Sequence, residues 1–251
     1  ITKKLDANKI VSNYIKEKIN NIVKDKNVAK KLTDFGHPFT SKRPTLNTDY
    51  FETFNKKNVR LIDLKTNPII KITKNGIKTK KEELKFDKII FATGYDALSG
   101  PILSLNLTGR KNIKLKKYWK NGPKTYLGLM IPYFPNFFII SGPGSPSVLT
   151  NVPAQIQQHV EWISEFLKYL EKSKSLSVEP GPKEAENWVK KINNLANKSL
   201  FMKAKNSWYK GDNIPGKPKT FIPYPAGLPQ YREICNKVRK KMYKGFNITL
   251  K

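Results

Sequence analysis

The chain has 251 residues, room for one large domain or two small ones with a sizeable core. Hydrophobic residues make up 38% and charged residues 27%, which excludes a disordered or collagen-like chain, and no apolar run approaches the roughly 18 residues of a membrane-spanning helix. The net charge is +29, yet all but five of the 48 basic residues are lysines, spread over the whole chain beside abundant Asn and Ile. That pattern is a compositional bias and not a basic stripe, so no nucleic-acid partner is expected. A single cysteine, Cys235, excludes an internal disulfide and fits a reducing, cytoplasmic setting.

Residues 1–31 read as helix, with Ile10, Tyr14, Ile15, Ile19, Ile22 and Val23 at three- and four-residue spacings and no Pro or Gly between them. The chain opens on Ile1 in mid-pattern, without a signal-peptide signature, so a fragment of a longer protein is expected. A punctuated loop, Asp34 to Pro44, follows. Short strands are expected at 59–64, at 69–73, from Ile77 after the hairpin signal Asn75-Gly76, and at 86–92. The last of these ends in Thr93-Gly94; such a strand suits the interior of an α/β sheet, where ligands dock beyond the carboxyl end.

A Pro/Gly-rich middle contains Tyr126-Leu-Gly-Leu129 and an expected strand at 136–141. The turn Gly142 to Pro146 leads into a helix that Thr150 or Asn151 can cap, with Pro153 tolerated in its first turn. Ile156, Val160, Ile163, Leu167 and Leu170 are expected to line its buried face. A second helix is expected over 183–200, a loop over 205–229, and a last helix around 230–241.

These residues alone carry little visible chemistry. His37, His159 and Cys235 give no pair with metal-ligand spacing, so no metal site is expected, and His159 reads as a structural histidine in mid-helix. No serine sits in a nucleophile elbow, and no G-x-G-x-x-G follows a strand. Gly142-Pro-Gly144 is too short and proline-locked to cradle a phosphate.

The motifs in order say more. Lys42-Arg43-Pro44, Asp49-Tyr-Phe-Glu-Thr-Phe-Asn55 and Asn58-Val59 are followed by Asp87-Lys-Ile-Ile-Phe-Ala-Thr-Gly-Tyr-Asp-Ala-Leu-Ser-Gly100 and Trp119-Lys-Asn-Gly-Pro-Lys-Thr-Tyr-Leu-Gly128. Then come Phe134-Pro-Asn-Phe137, Gly142-Pro-Gly-Ser-Pro-Ser147, His159-Val-Glu-Trp162 and Ser207-Trp-Tyr-Lys-Gly-Asp-Asn-Ile-Pro-Gly-Lys217. From about residue 35 onward this series resembles the C-terminal portion of Baeyer–Villiger monooxygenases of the phenylacetone and cyclohexanone type. Each motif is modest; their collinear order is specific.

The resemblance implies an α/β flavoprotein with two dinucleotide-binding, Rossmann-like domains, of which this chain is a C-terminal fragment with added helices. Residues 1–41 would end a helical insertion, 42–93 would complete the NADPH-binding domain, and 94–251 would form the rest of the FAD-binding domain with its C-terminal helices and lid loop. It implies FAD and NADPH as cofactors, O₂ and a small ketone as substrates, and oxygen insertion beside the carbonyl through a flavin C4a-peroxide to give an ester or lactone. The glycine-rich fingerprints and the family's central His and Trp-Pro signature are absent here, so the missing N-terminal half is an expected partner and the isolated piece is expected to be inactive.

By the same resemblance Arg43 is the catalytic arginine and Lys42 and Arg43 contact NADP. An anionic oxygen adduct needs a fixed cation that does not deprotonate, a property of arginine. Asn151 and Val152 would present a helix N-terminus to the flavin, where about half a positive charge stabilises an anion. Ser147, Val148 and Leu149 would shape the substrate pocket. Trp208, among Gly211, Pro215, Gly216 and Pro218, would close on the nicotinamide cofactor as part of a lid.

One departure matters: Phe91-Ala-Thr-Gly-Tyr95 carries Tyr where the Baeyer–Villiger pattern more often has Phe, and this Tyr is shared with flavin monooxygenases that oxidise nitrogen or sulfur. An N- or S-oxygenating enzyme of the same architecture is therefore the alternative. An inactive basic binding fragment is the alternative from another class.

Overall fold

In a computed structural model, which describes residues 1–250, the periodic N-terminal segment folds as two helices and not one. Helix α1 (Leu5–Ile22) stops, and α2 (Lys26–Thr33) starts at Asp25, whose carboxylate accepts the Asn27 and Val28 amides at 2.8 and 3.2 Å. An aspartate that satisfies the orphan donors of a new helix competes with continuing the old one. Asn55 closes the other end, donating to the Ile22 carbonyl at 2.8 Å and accepting the Lys24 amide at 2.9 Å. Ile19, Val23 and Ala29 bury themselves between the helices, packed by Phe51 and Phe54 at the short helix α3 (Tyr50–Thr53).

Those elements belong to the first of two compact units, which comprises Ile1, Leu5–Phe39 and Pro44–Tyr95. Its sheet is a meander of β1 (Ile69–Thr73), β2 (Gly76–Thr79) and β3 (Glu83–Lys85), antiparallel throughout. The two-residue turn is Lys74-Asn75, closed by the pair Thr73 and Gly76. Gly76 is required by close approach, since a Cβ there would lie 1.9 Å from the Leu84 carbonyl oxygen. The strands expected at 59–64 and 86–92 form no ladder. An apolar run becomes a strand only where a neighbour satisfies its backbone, and among the described residues none does. Ile90 is left 91% exposed and Phe91 66%.

The second unit comprises Thr2–Lys4, Thr40–Arg43 and the residues from Asp96 onward. It begins with two short helices, α4 (Gly100–Ser104) and α5 (Leu115–Tyr118). Leu115, Trp119, Ile131, Phe134 and Ile139 make a small core beside them. Instead of the strand expected at 136–141 there are single bridges, Tyr126 with Met130 and Met130 with Phe138. Left-handed backbone at Leu127, Gly128, Asn136 and Ser141 turns the chain too often for a ladder to extend.

The larger core lies among α6 (Val152–Lys172), α7 (Pro182–Asn197) and α8 (Gly227–Lys240). An antiparallel pair, β4 (Ser175–Pro180) with β5 (Phe246–Leu250), brackets α7 and α8 in sequence. Neither strand was expected: both runs alternate, Ser175-Leu-Ser-Val178 and Phe246-Asn-Ile-Thr-Leu250, but each finds its partner only in the other, with α7 and α8 between them in sequence. Phe166 stacks on Tyr243 at 4.0 Å between ring centroids, and Trp188 lies parallel to Tyr224 at 5.2 Å. The expected face of α6 needs correction: Ile163 and Leu170 are buried, but Ile156, Val160 and Leu167 are exposed. Gln155, Gln158, His159, Trp162 and Phe166 take the inner side instead. Aromatic area outweighs aliphatic periodicity here, and the buried polar groups are admitted because most find hydrogen bonds.

Candidate functional site

The loop that feeds α6 is itself interior. Residues 142–147 are all buried, and such a loop is possible only if its backbone is satisfied. The Gly144 amide donates to the Ile222 carbonyl at 2.8 Å, and the Ser145 carbonyl accepts the Tyr224 amide at 2.7 Å. The Trp188 indole donates to the Gly144 carbonyl at 2.9 Å, and the Thr125 hydroxyl to that of Pro143 at 2.5 Å. Gly144 is in the left-handed region, and a Cβ on it would come within 2.8 Å of Thr125 Oγ1.

From inside, α6 braces the same loop. His159, fully buried, accepts the Ser141 amide on Nδ1 at 3.1 Å, and Gln155 Nε2 donates to Ser145 Oγ at 2.9 Å. Burial pushes the His159 imidazole down to about 4, so it is neutral near pH 7. This is a structural histidine in a polar brace.

The brace delivers two things at the end of the loop. A 3-10 turn at Ser147–Leu149 comes first, then the cap of α6, where Asn151 Oδ1 accepts the Ala154 amide at 3.1 Å. Pro153 has no N–H, and the Val152 N–H finds no acceptor among the described residues. It is left at the helix N-terminus for an outside group.

Arg43 reaches this place from the Thr40–Arg43 segment of the same unit: its guanidinium donates to the Val148 carbonyl. The structure thus brings Arg43 together with Val148, and Ser147, Leu149, Asn151 and Val152 adjoin that residue along the chain. Lys42 lies next to Arg43, and its ammonium has no partner among the described residues.

Tyr209 completes the arrangement. Its phenol is buried, which raises its pKa, while the nearby positive charge of Arg43 pulls the other way. Trp208 sets its ring against Tyr209 at 4.7 Å between centroids. The other three indoles each donate to a carbonyl, Trp119 to Lys124, Trp162 to Cys235 and Trp188 to Gly144. The Trp208 indole alone has no acceptor among the described residues. A half-buried indole N–H without a protein partner is free to donate to water or to a bound group. Sequence reasoning missed Tyr209, though its place beside Trp208 in an aromatic motif was a usable signal.

The loop from Ser207 to Thr220 is knit into itself. Asp212 accepts the Ser207 amide at 2.6 Å and pairs with Lys210 at 3.0 Å. Burial alone would raise its carboxyl, but the Lys210 and Ser207 hydrogen bonds hold it below the ordinary value. Among the described residues no group of His, Cys, Asp and Glu is arranged to hold a metal, and no helix is long and apolar enough to cross a membrane.

No family model matches the chain. It is 39% identical over 251 residues to cyclohexanone 1,2-monooxygenase of Acinetobacter sp., which covers 100% of this chain and 45% of that protein. It is 41% identical over 238 residues to a Baeyer–Villiger monooxygenase of Pseudooceanicola batsensis, covering 94% of this chain and 43% of that protein. The chain belongs to the Baeyer–Villiger monooxygenase family. It spans somewhat less than half the length of these relatives. Its fold agrees: the crystal structure of OTEMO in complex with FAD and NADP superposes with a TM-score of 0.93 at 32% identity, over 99% of this chain and 46% of that one. The mixture of helices and small sheets is therefore this part of a Baeyer–Villiger flavoprotein fold.

Proposed function

We propose that this chain is the C-terminal portion of an FAD- and NADPH-dependent monooxygenase that inserts one atom of O₂ beside a ketone carbonyl, giving an ester or lactone. The observation that carries the reading is the meeting of Arg43 with the Ser147–Leu149 turn beside the N-terminus of α6.

The residues present fit the two cofactors. The Val152 N–H and the N-terminus of α6 offer a positive end to the flavin, with Asn151 fixing that end by capping it. The Trp208 indole N–H and the unpaired Lys42 ammonium, beside Arg43, offer donors and charge to NADPH. Bound there, NADPH supplies the hydride and FAD activates O₂. Arg43 holds a permanent positive charge where negative charge develops on oxygen, and Ser147, Val148 and Leu149 wall the ketone's place.

In this reading residues 1–41 end a helical insertion, 42–93 complete a Rossmann-like NADPH domain and 94–251 belong to the FAD domain. No glycine-rich phosphate loop occurs in the sequence, so the pyrophosphates would be held by an N-terminal half that works with this chain. The single buried cysteine suits a reducing cytoplasm.

The test is Arg43→Ala in the complete enzyme, with NADPH oxidation, flavin reduction and product followed separately. Ester formation is expected to fall by about 10²–10³-fold, the cost of removing one preorganised donor, with flavin reduction nearly unchanged. Oxygenation that survives the substitution removes the role of Arg43. Amines or sulfides oxidised while ketones are not would turn the reading toward N- or S-oxygenation.

A further inference from the structure

The Ser207–Thr220 loop closes at its base, where the Ile222 amide donates to the Tyr209 carbonyl at 2.8 Å and the Thr220 amide to the Lys210 carbonyl at 3.0 Å. Left-handed glycines, Gly211 and Gly216, mark its two bends. Between them the tip makes only local turns, Ile214 to Gly211 and Lys217 to Ile214. One contact ties the tip to a distant part of the unit: the Lys217 ammonium pairs with the Asp96 carboxylate, 121 positions away in sequence.

That lysine is unusual in a chain whose lysines mostly face water. Its side chain is only 11% exposed. Asp96 is seated as well, because Gly100 leaves room for it; a Cβ at Gly100 would lie 2.7 Å from the Asp96 side chain. A lysine side chain this enclosed, with a carboxylate partner that is 40% exposed, is held by that pairing more firmly than a surface lysine would be. We propose that Asp96 and Lys217 are positioning residues that fasten the loop and so fix the Trp208 indole in its place against Tyr209. Neither residue touches Trp208. Both act on it through the loop, and their bearing on function rests on the cofactor role proposed for Trp208.

The test uses the 251-residue chain labelled with 5-fluorotryptophan, whose four fluorine resonances are assigned with single Trp→Phe variants. Lys217→Met keeps the aliphatic stem and removes the charge; it is expected to displace or broaden the Trp208 resonance and leave those of Trp119, Trp162 and Trp188 in place. Asp96→Asn is expected to do the same. The reversed pair, Asp96→Lys with Lys217→Asp, is expected to return the Trp208 resonance toward its original position. A Trp208 resonance unmoved by either single substitution overturns the proposal. So does a displacement of all four resonances together, or a reversed pair that restores nothing. None of these readouts needs a cofactor, so they stand apart from the oxygenation test on Arg43.

Discussion

His159 and Tyr231 meet at 2.8 Å in the interior of the second unit, with neither side chain reaching solvent. Their protons can be placed by elimination. The Ser141 amide donates to Nδ1, so the neutral ring carries its hydrogen on Nε2 and donates it to the Tyr231 oxygen, whose own hydrogen goes to the Leu127 carbonyl at 2.6 Å. Protonating the ring would put a second hydrogen where the Ser141 amide already points.

A pH dependence follows. The folded imidazole titrates near 4, below the usual 6.5, so between these values the unfolded chain binds the additional proton. The contribution is whole above about pH 6.5, and it is lost as pH falls toward 4, by about 3 kcal/mol in all. Urea midpoints of the chain should therefore fall over this range, and His159→Gln should flatten the slope while lowering stability near pH 7. An equal slope in both proteins would remove His159 as its source.

How much of this was legible beforehand differs from element to element. The helix after Asn151 could be read because cap, proline and length agree locally. The break at Asp25 could have been read too, since an aspartate two and three residues ahead of free amides is a cap signal; unbroken periodicity concealed it. The inner face of α6 could not, because Gln155 and His159 are covered by the loop that precedes the helix, at Ser141 and Ser145, and by Tyr231 on α8, 72 positions beyond His159. The strands β4 and β5 pair with each other across the stretch that holds α7 and α8, and no local pattern connects them. Arg43 was legible only through the order of motifs, and its meeting with Val148 spans 105 positions that no local pattern connects. Asp96 and Lys217 are an ordinary acid and an ordinary lysine until folding buries one of them.

Asn151 makes a separable contribution to stability. Its carboxamide satisfies one orphan amide of α6, and Asn151→Ala should cost about 1 kcal/mol, with Asn151→Asp retaining most of it. Denaturation midpoints of the three proteins check this. A cost near zero would mean that the buried loop alone holds the helix start.

The segment around Ile90 and Phe91 predicts how the isolated chain behaves. It is apolar, exposed and without a ladder partner among the described residues, a profile that recruits other chains. Ile90→Lys should slow aggregation on warming, followed by light scattering, without altering the far-ultraviolet circular dichroism. Phe91→Lys should act alike but less strongly, because that side chain is less exposed. If neither changes the scattering, another exposed patch, such as Ile69, Ile70 and Ile72 on β1, governs association.

FAD binding separates what this chain can do from what it needs. Tight flavin binding depends on the pyrophosphate, which glycine-rich turns hold by letting backbone amides approach closely. This sequence has no such turn, and in the function proposed above its offering to the cofactor is the end of α6 with the Val152 N–H, which would meet the ring and not the phosphates. The purified 251-residue chain is therefore expected to lose added FAD on gel filtration, with no absorbance near 450 nm (a property of the flavin) in the protein peak. Flavin retained in stoichiometric amount would show that a phosphate-binding surface exists within these residues, and the lysine-rich surface would be the first place to substitute.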